Sequence, residues 1–334
     1  MFLYIVASGA AAAQSMSPGL AESYLQRPVG SRALGLAGAY TAVSNEPNAI
    51  FFNPAGIGFL PDNPQFSLSG SPLALGRTQG SIAYGQEIMP ELSVGAGVNT
   101  LMHPSFIGRN AAGQEIGTLS NEQYTFAVGA AWSNSDIALG VTGKYLLNTL
   151  TGAKYRGTAF VADFGAKVNM FDLFTIGASI QNIGGRMNWT GASSGEQTPF
   201  TFRGGAAVEI GLNEETYQVR STVRGEPETV SLPATKYALI TLDVVAHQHD
   251  KTPSLLLGGE YADSELFAVR AGMSVISDNM GKSKFFPFTV WGAGVSIIPP
   301  IKNLPFQLQI EYALSGDAAA GTGVANTISL LMEF

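Results

Sequence analysis

Residues 305–315 read PFQLQIEYALS, and the order of those side chains decides the fold class. Phe306, Leu308, Ile310, Tyr312 and Leu314 are apolar, while Gln307, Gln309, Glu311, Ala313 and Ser315 between them are polar or small. Successive side chains of a strand point to opposite faces, so this stretch presents one apolar face and one polar face. The alternation recurs in Tyr124, Phe126, Val128, Ala130 and Trp132, then in Ile137, Leu139, Val141, Tyr145 and Leu147. It returns in Phe200, Phe202, Ala206, Val208 and Ile210, and closes the chain in Val324, Ile328, Leu330, Met332 and Phe334. An aromatic residue ending an amphipathic strand, as Phe334 does, is a feature that outer-membrane assembly machinery commonly recognises.

The polar faces carry isolated charges of both signs: Lys144, Asp163, Lys167, Arg203, Glu209, Asp243, Glu260, Arg270, Glu311 and Glu333. Small residues fill most of the other positions on those faces. A soluble barrel would turn such charges to water, whereas an outer-membrane barrel turns them into its lumen and shows apolar residues to lipid. Periodicity does not say which face is which, but composition favours the inverted case. Charged residues make up 13% of the 334, against about 25% in an ordinary soluble domain. Glycine is abundant at 40 residues. The mean hydropathy of only +0.16 requires apolar and polar residues to be interleaved.

These patterns predict an all-β transmembrane outer-membrane barrel of about fourteen antiparallel strands. The expected spans are 65–75, 78–87, 92–102, 121–132, 136–147, 157–169 and 173–183, then 199–212, 234–247, 254–262, 265–276, 285–298, 305–315 and 322–334. Short connections at Met89-Pro90-Glu91, Ser133-Asn134-Ser135, Phe171-Asp172 and Asp263-Ser264 alternate with longer ones. Segment 213–233 is long and charged where a short periplasmic turn belongs. It is either an extension at that end or a slip in strand register.

Ahead of the strands lie two other segments. Phe2 to Ala13 read FLYIVASGAAAA, with Ala11 and Ala13 at A-x-A spacing before Gln14. The run is too short to span a bilayer as a helix and fits the apolar core and cleavage site of a secretory signal peptide. Residues 1–13 are therefore expected to be that signal, 14–64 a separate N-terminal segment, and 65–334 the barrel. Cysteine is absent, which excludes disulfides and thiolate chemistry. A net charge of −7 and the lack of a Lys/Arg run make nucleic acid an unexpected partner.

The N-terminal segment is the most specific part of the chain. Residues 30–60 read GSRALGLAGAYTAVSNEPNAIFFNPAGIGFL. This resembles the PorV/PorQ-type outer-membrane proteins, relatives of the FadL family, through Gly30, Arg32, Ala33, Gly35 and Gly38, then Thr41-Ala42-Val43, then Asn53-Pro54-Ala55-Gly56. Leu242-Asp243, Gly259-Glu260-Tyr261 and Arg270-Ala271-Gly272 extend the likeness along the chain. Ser44-Asn45-Glu46 stands where such proteins often carry an acidic pair, which blurs the subgroup. The resemblance implies that the segment folds inward as a hatch, with Gly30, Arg32, Gly35, Asn53, Pro54 and Gly56 as hatch residues. Glycine allows close backbone approach in a lumen, and Pro54 holds Asn53 extended. Arg32 is expected to pair with a lumen carboxylate such as Glu260 or Glu311.

Two functions follow, neither enzymatic. The resemblance implies a PorV-like role in type IX secretion, in which an extracellular rim grips the signal domain of a secreted substrate or the translocon. The expected rim loops are 103–120, 148–156, 184–198, 248–253, 277–284 and 315–321, with Phe106, Ile107, Met187, Trp189 and Met280 as candidate contacts. The alternative is FadL-like transport of hydrophobic small molecules such as fatty acids, with Ile50-Phe51-Phe52 lining an apolar pocket. A lumen packed with side chains would oppose that alternative. Membrane lipids are the common partner of both readings. No cofactor and no metal are expected. His247-Gln248-His249-Asp250 offers two imidazoles where a zinc site wants three or four ligands, and His103 is the remaining histidine. No P-loop, nucleophile elbow or H-E-x-x-H motif occurs.

Overall fold

In the computed structural model the alternating segments become a ring of fourteen antiparallel strands that closes on itself. The structure describes residues 22–334 except 154, 172, 193–194, 214, 221–226, 233, 249–252, 265, 276–287, 302–303 and 318–322. The expected signal peptide, His249, Asp250 and Met280 lie outside the described residues.

The wall strands are β1 (Gln65–Pro72), β2 (Thr78–Met89), β3 (Leu92–Met102), β4 (Glu115–Ser133), β5 (Ile137–Thr151), β6 (Tyr155–Met170) and β7 (Phe174–Ile183). They continue as β8 (Thr201–Gly211), β9 (Lys236–His247), β10 (Ser254–Asp263), β11 (Phe267–Val275), β12 (Phe288–Ile297), β13 (Gln307–Asp317) and β14 (Gly323–Glu333). Each wall strand pairs with the next, and β14 pairs with β1, placing Glu333 opposite Gln65 and Ile328 opposite Gly70. Closure leaves no open sheet edge, which a lipid environment requires.

The faces sort in the inverted sense. Outward residues are apolar and exposed, with Phe160 at 75%, Val128 at 66% and Ile240 at 61%. Their inward neighbours Thr142, Asp163, Thr241 and Asp243 are fully buried. On the outer surface Tyr124, Phe126, Tyr145 and Phe160 form a run of ring contacts across β4, β5 and β6. Water would penalise this exterior, whereas lipid suits it.

Several boundaries differ from expectation. β4 begins at Glu115 and β5 ends at Thr151, so parts of the expected loops 103–120 and 148–156 are strand. Those extensions lack apolar alternation, and Glu115 to Thr118 are exposed on both faces. A short strand, Phe106–Arg109, folds back onto the start of β4. Two more, Arg186–Trp189 and Glu196–Gln197, pair with each other between β7 and β8. Segment 213–233 does not mark a slip in register. Gly211 pairs with Tyr237 in an unbroken β8–β9 ladder, and Glu215–Arg220 and Pro227–Leu232 form a separate hairpin at the short-turn end.

Residues 22–60 lie within the ring as one short helix, Ser31–Gly35, and three 3-10 turns, Ser23–Gln26, Pro47–Phe51 and Pro54–Phe59. Glycines on the inner wall let the segment's backbone come close. A Cβ on Gly140 would sit 2.3 Å from the Pro54 carbonyl carbon, and one on Gly292 would sit 1.9 Å from the Leu34 oxygen. Such seats recur on successive strands, which accounts physically for part of the glycine content.

Candidate functional site

The interior is built from the inner segment and the charged wall face together. Arg32, in the Ser31–Gly35 helix, reaches Glu260 on β10 with Nη2 at 3.0 Å and Nε at 3.1 Å. Its Nη1 donates to Asn45 Oδ1 at 2.6 Å. Burial works against the Arg32 charge most strongly, but Glu260 together with Tyr40, Tyr237 and Glu46 holds the guanidinium above its usual range. Glu260 also pairs with Arg270 of β11 and accepts from the Tyr237 hydroxyl, while Arg270 Nη1 lies 3.2 Å from Glu311 of β13.

Two further charge groups are separate from this one. Lys144 lies 2.5 Å from Asp163, whose other oxygen accepts the Asn182 amide. Asn182 has a φ of 60°, so this carboxylate holds a left-handed kink in β7. Asp243 accepts the amides of Tyr40 and Thr41 at 3.0 and 2.8 Å, and Arg203, 3.9 Å from it, donates to the Gly38 oxygen. Lys167 donates to the Ser44 oxygen and lies 5.0 Å from the Phe59 ring centre. The expected lumen charges therefore form three clusters and one lysine that binds backbone. Glu209 joins them only through longer-range attraction to Arg32 and Lys167. It shares the inward phase of Arg203, but it sits near the short-turn end of β8 and is exposed.

The hatch residues are tightly seated. Asn53 is extended, donates to the Thr41 and Ala166 oxygens, and accepts the Ala55 amide, so that Pro54 starts a 3-10 turn. A Cβ on Gly56 would lie 2.5 Å from the Ser44 oxygen, and one on Gly35 would lie 3.3 Å from the Gly294 Cα. Gly30 adopts a φ of 88°. Ile50 and Phe52 are buried in apolar clusters against the wall, and the space that Phe51 and Phe52 border is a cavity of about 20 Å³.

Apolar side chains gather in the lumen toward the long-loop end. Leu146, Ala159, Val161 and Met187 cluster there, with Leu25 and Trp189 against them. Tyr24, Leu73, Leu101 and Ala325 form a neighbouring cluster that Leu25 also touches. Met187 is completely buried in this group, so it is no rim contact, because its strand turns the side chain inward. Trp189 is partly buried, whereas Phe106 and Ile107 are exposed, at 47% and 56%. Sequence reasoning missed Glu22, Tyr24 and Leu25, which precede the recognisable motif. It also missed Leu146 and Val161, although both are out of phase with the apolar face of their strands, and that was a readable signal.

Among the described residues the inner segment fills most of the lumen. Below Leu25 a cavity of about 20 Å³ remains, bordered by Phe51, Phe52, Lys144 and Arg203. A wider cavity of about 250 Å³ opens at the short-turn end, lined by Arg32, Glu46, Asp263 and Gln309 together with apolar residues such as Phe267, Ile298 and Leu331. Among the described residues no group of three or more His, Asp or Glu is placed to hold a metal ion. His247 shares a hydrogen bond of 2.9 Å with Thr201.

An all-β barrel of outer-membrane type, with a segment of its own chain filling the lumen, is the class that this fold and interior define. Solved structures share the fold. A deltaS2S3 variant of the TodX monoaromatic hydrocarbon channel is 12% identical with a TM-score of 0.54, over 91% of this chain and 98% of that one. The P. putida toluene transporter TodX is 10% identical with a TM-score of 0.52, over 90% and 97%. The Ralstonia pickettii toluene transporter TbuX is 11% identical with a TM-score of 0.50, over 91% and 97%. No protein-family model matches the chain, and no curated protein does. The likeness to these channels and transporters is one of fold, and none of them bears on type IX secretion.

Proposed function

We propose that the chain is an exported, non-enzymatic outer-membrane barrel that passes hydrophobic small molecules, with residues 22–60 acting as its plug. One observation carries this reading. Toward the long-loop end of the lumen, Leu146, Ala159, Val161 and Met187 make an apolar lining below the rim, and Leu25 of the plug covers it. Apolar lining is costly to leave facing water and serves a passenger that is itself apolar. The fold likeness to hydrocarbon channels supports the same reading. The inner segment's dense packing against the wall means that passage requires part of the plug to move.

The test is uptake of radiolabelled toluene and oleate by vesicles carrying the purified protein. Faster entry than into empty vesicles is expected, and equal rates would remove the transport reading.

A second reading is supported by the folded-back strand at Phe106–Arg109, where Phe106, Ile107 and Ile116 stand exposed. On this reading the rim binds a secreted substrate or a type IX translocon, and the lumen stays shut. Co-purification of a very large outer-membrane partner that is lost in Phe106→Ala would favour it.

A further inference from the structure

Tyr24 places a phenol ring in the upper lumen, and the wall around it has the form of a binding slot. Leu73 from the β1–β2 connection, Leu101 of β3 and Ala325 of β14 surround the ring, which is 3% exposed. At the far end of the slot the Tyr24 hydroxyl hydrogen-bonds to Thr125 Oγ1 of β4. Three apolar walls and one hydroxyl partner thus enclose a group with the shape and chemistry of p-cresol.

The arm that carries this group is held differently from the rest of the inner segment. Residues 31–60 are seated by buried ion pairs and by backbone pressed onto wall glycines, as at Gly140, Gly177 and Gly272. Residues 22–29 are tied through side chains. Glu22 accepts from Asn148 at 2.7 Å, and Arg27 donates to Gln79 at 2.6 Å and to Ser71 at 3.5 Å. Between the two parts stands Gly30, whose positive φ only glycine adopts freely.

We propose that this slot is a binding site for monocyclic phenols and that Tyr24 is its built-in occupant. A phenol enters when the 22–29 arm swings away about Gly30, and it takes over the hydrogen bond to Thr125. The inference rests on the reading of the barrel as a path for hydrophobic molecules and names what the upper path holds. An internal occupant lowers the apparent affinity for a free one by the fraction of time the arm is open. Removing the ring therefore strengthens binding. A buried hydroxyl without a partner is costly, so Thr125 favours a phenol over the corresponding hydrocarbon.

Calorimetric titration of p-cresol and of toluene into the full chain in micelles tests this with three proteins: wild type, Tyr24→Ala, and Tyr24→Ala with Thr125→Val. Tyr24→Ala is expected to bind p-cresol at least about ten-fold tighter than wild type does, through loss of the competitor. It is also expected to prefer p-cresol over toluene by about ten-fold, and the added Thr125→Val should abolish that preference. Equal affinity with and without the ring, no preference for the hydroxyl, or no binding to Tyr24→Ala would each overturn the proposal. If Tyr24→Ala does not fold, Tyr24→Phe keeps the ring but loses the tie. A smaller gain in p-cresol affinity then supports the slot, and no change overturns it. Toluene uptake without any phenol site would remove this inference alone, whereas a phenol site without uptake would remove the conduit alone.

Discussion

Arg32 and Glu260 meet as a two-pronged ion pair although 228 residues separate them in the chain. The pair fixes the inner segment to the wall at the level of β10. Glu260 serves Arg270 as well, so the two partners are not equivalent. Glu260→Gln takes the ion-pair partner from buried Arg32 and leaves Arg270 with Glu311 alone, and should destabilise the protein by about 3–5 kcal/mol, the usual cost of breaking a buried pair. Arg32→Met leaves Glu260 paired with Arg270 and should cost less. Urea unfolding in micelles measures both, and equal effects would show that Arg32 alone matters.

The glycine seats make a prediction with an internal control. Gly140 and Gly143 both lie on β5, but a Cβ on Gly140 meets Pro54 whereas one on Gly143 meets nothing within 4 Å. Gly140→Ala should lower stability by about 1–3 kcal/mol through overpacking. Gly143→Ala should stay within about 0.5 kcal/mol of wild type. A neutral Gly140→Ala would mean that the segment rides loosely on the wall.

The arm's hold should depend on pH. Burial raises the Glu22 carboxyl to about 7, with the Asn148 hydrogen bond opposing and nearby Glu196 adding to the rise. Tyr24 beside it is pushed above its usual range by burial and by Glu22, and stays protonated. An acid whose folded pKa is raised binds its proton more tightly when seated. The seat is therefore favoured at acid pH, and that advantage fades as pH rises from the ordinary carboxyl value to about 7. Hydrogen-exchange protection of the Leu25 and Arg27 amides, corrected for intrinsic rates, should be greater at pH 5 than at pH 8, and Glu22→Gln should flatten the difference. Protection that rises with pH would contradict the assignment.

Much of the barrel was legible because lipid outside and charge inside impose a period of two on every wall strand. Phe306 to Ser315 shows that rule undisturbed. It failed at the ends, where Glu115 to Thr118 are exposed on both faces and alternation has no reason to persist. The inner segment was readable through its glycines and Asn53-Pro54, since a chain laid against a wall needs small residues. The direction of Met187 was not readable, because a four-residue strand carries too little pattern to show which way it faces. Leu146 and Val161 were visible only as apolar residues in the wrong phase, and their meaning depends on the neighbours that the ring supplies. Glu209 had the right phase but lay too near the strand end to be covered.

The account rests most heavily on the apolar lining at the long-loop end of the lumen, which Leu25 of the plug covers. Toluene uptake into vesicles by wild type, Val161→Asp and Phe106→Ala, each confirmed as folded, tests it directly. Val161→Asp should abolish uptake by placing a carboxylate in the apolar lining, while Phe106→Ala on the rim should leave the rate unchanged. Full uptake by Val161→Asp would contradict the account.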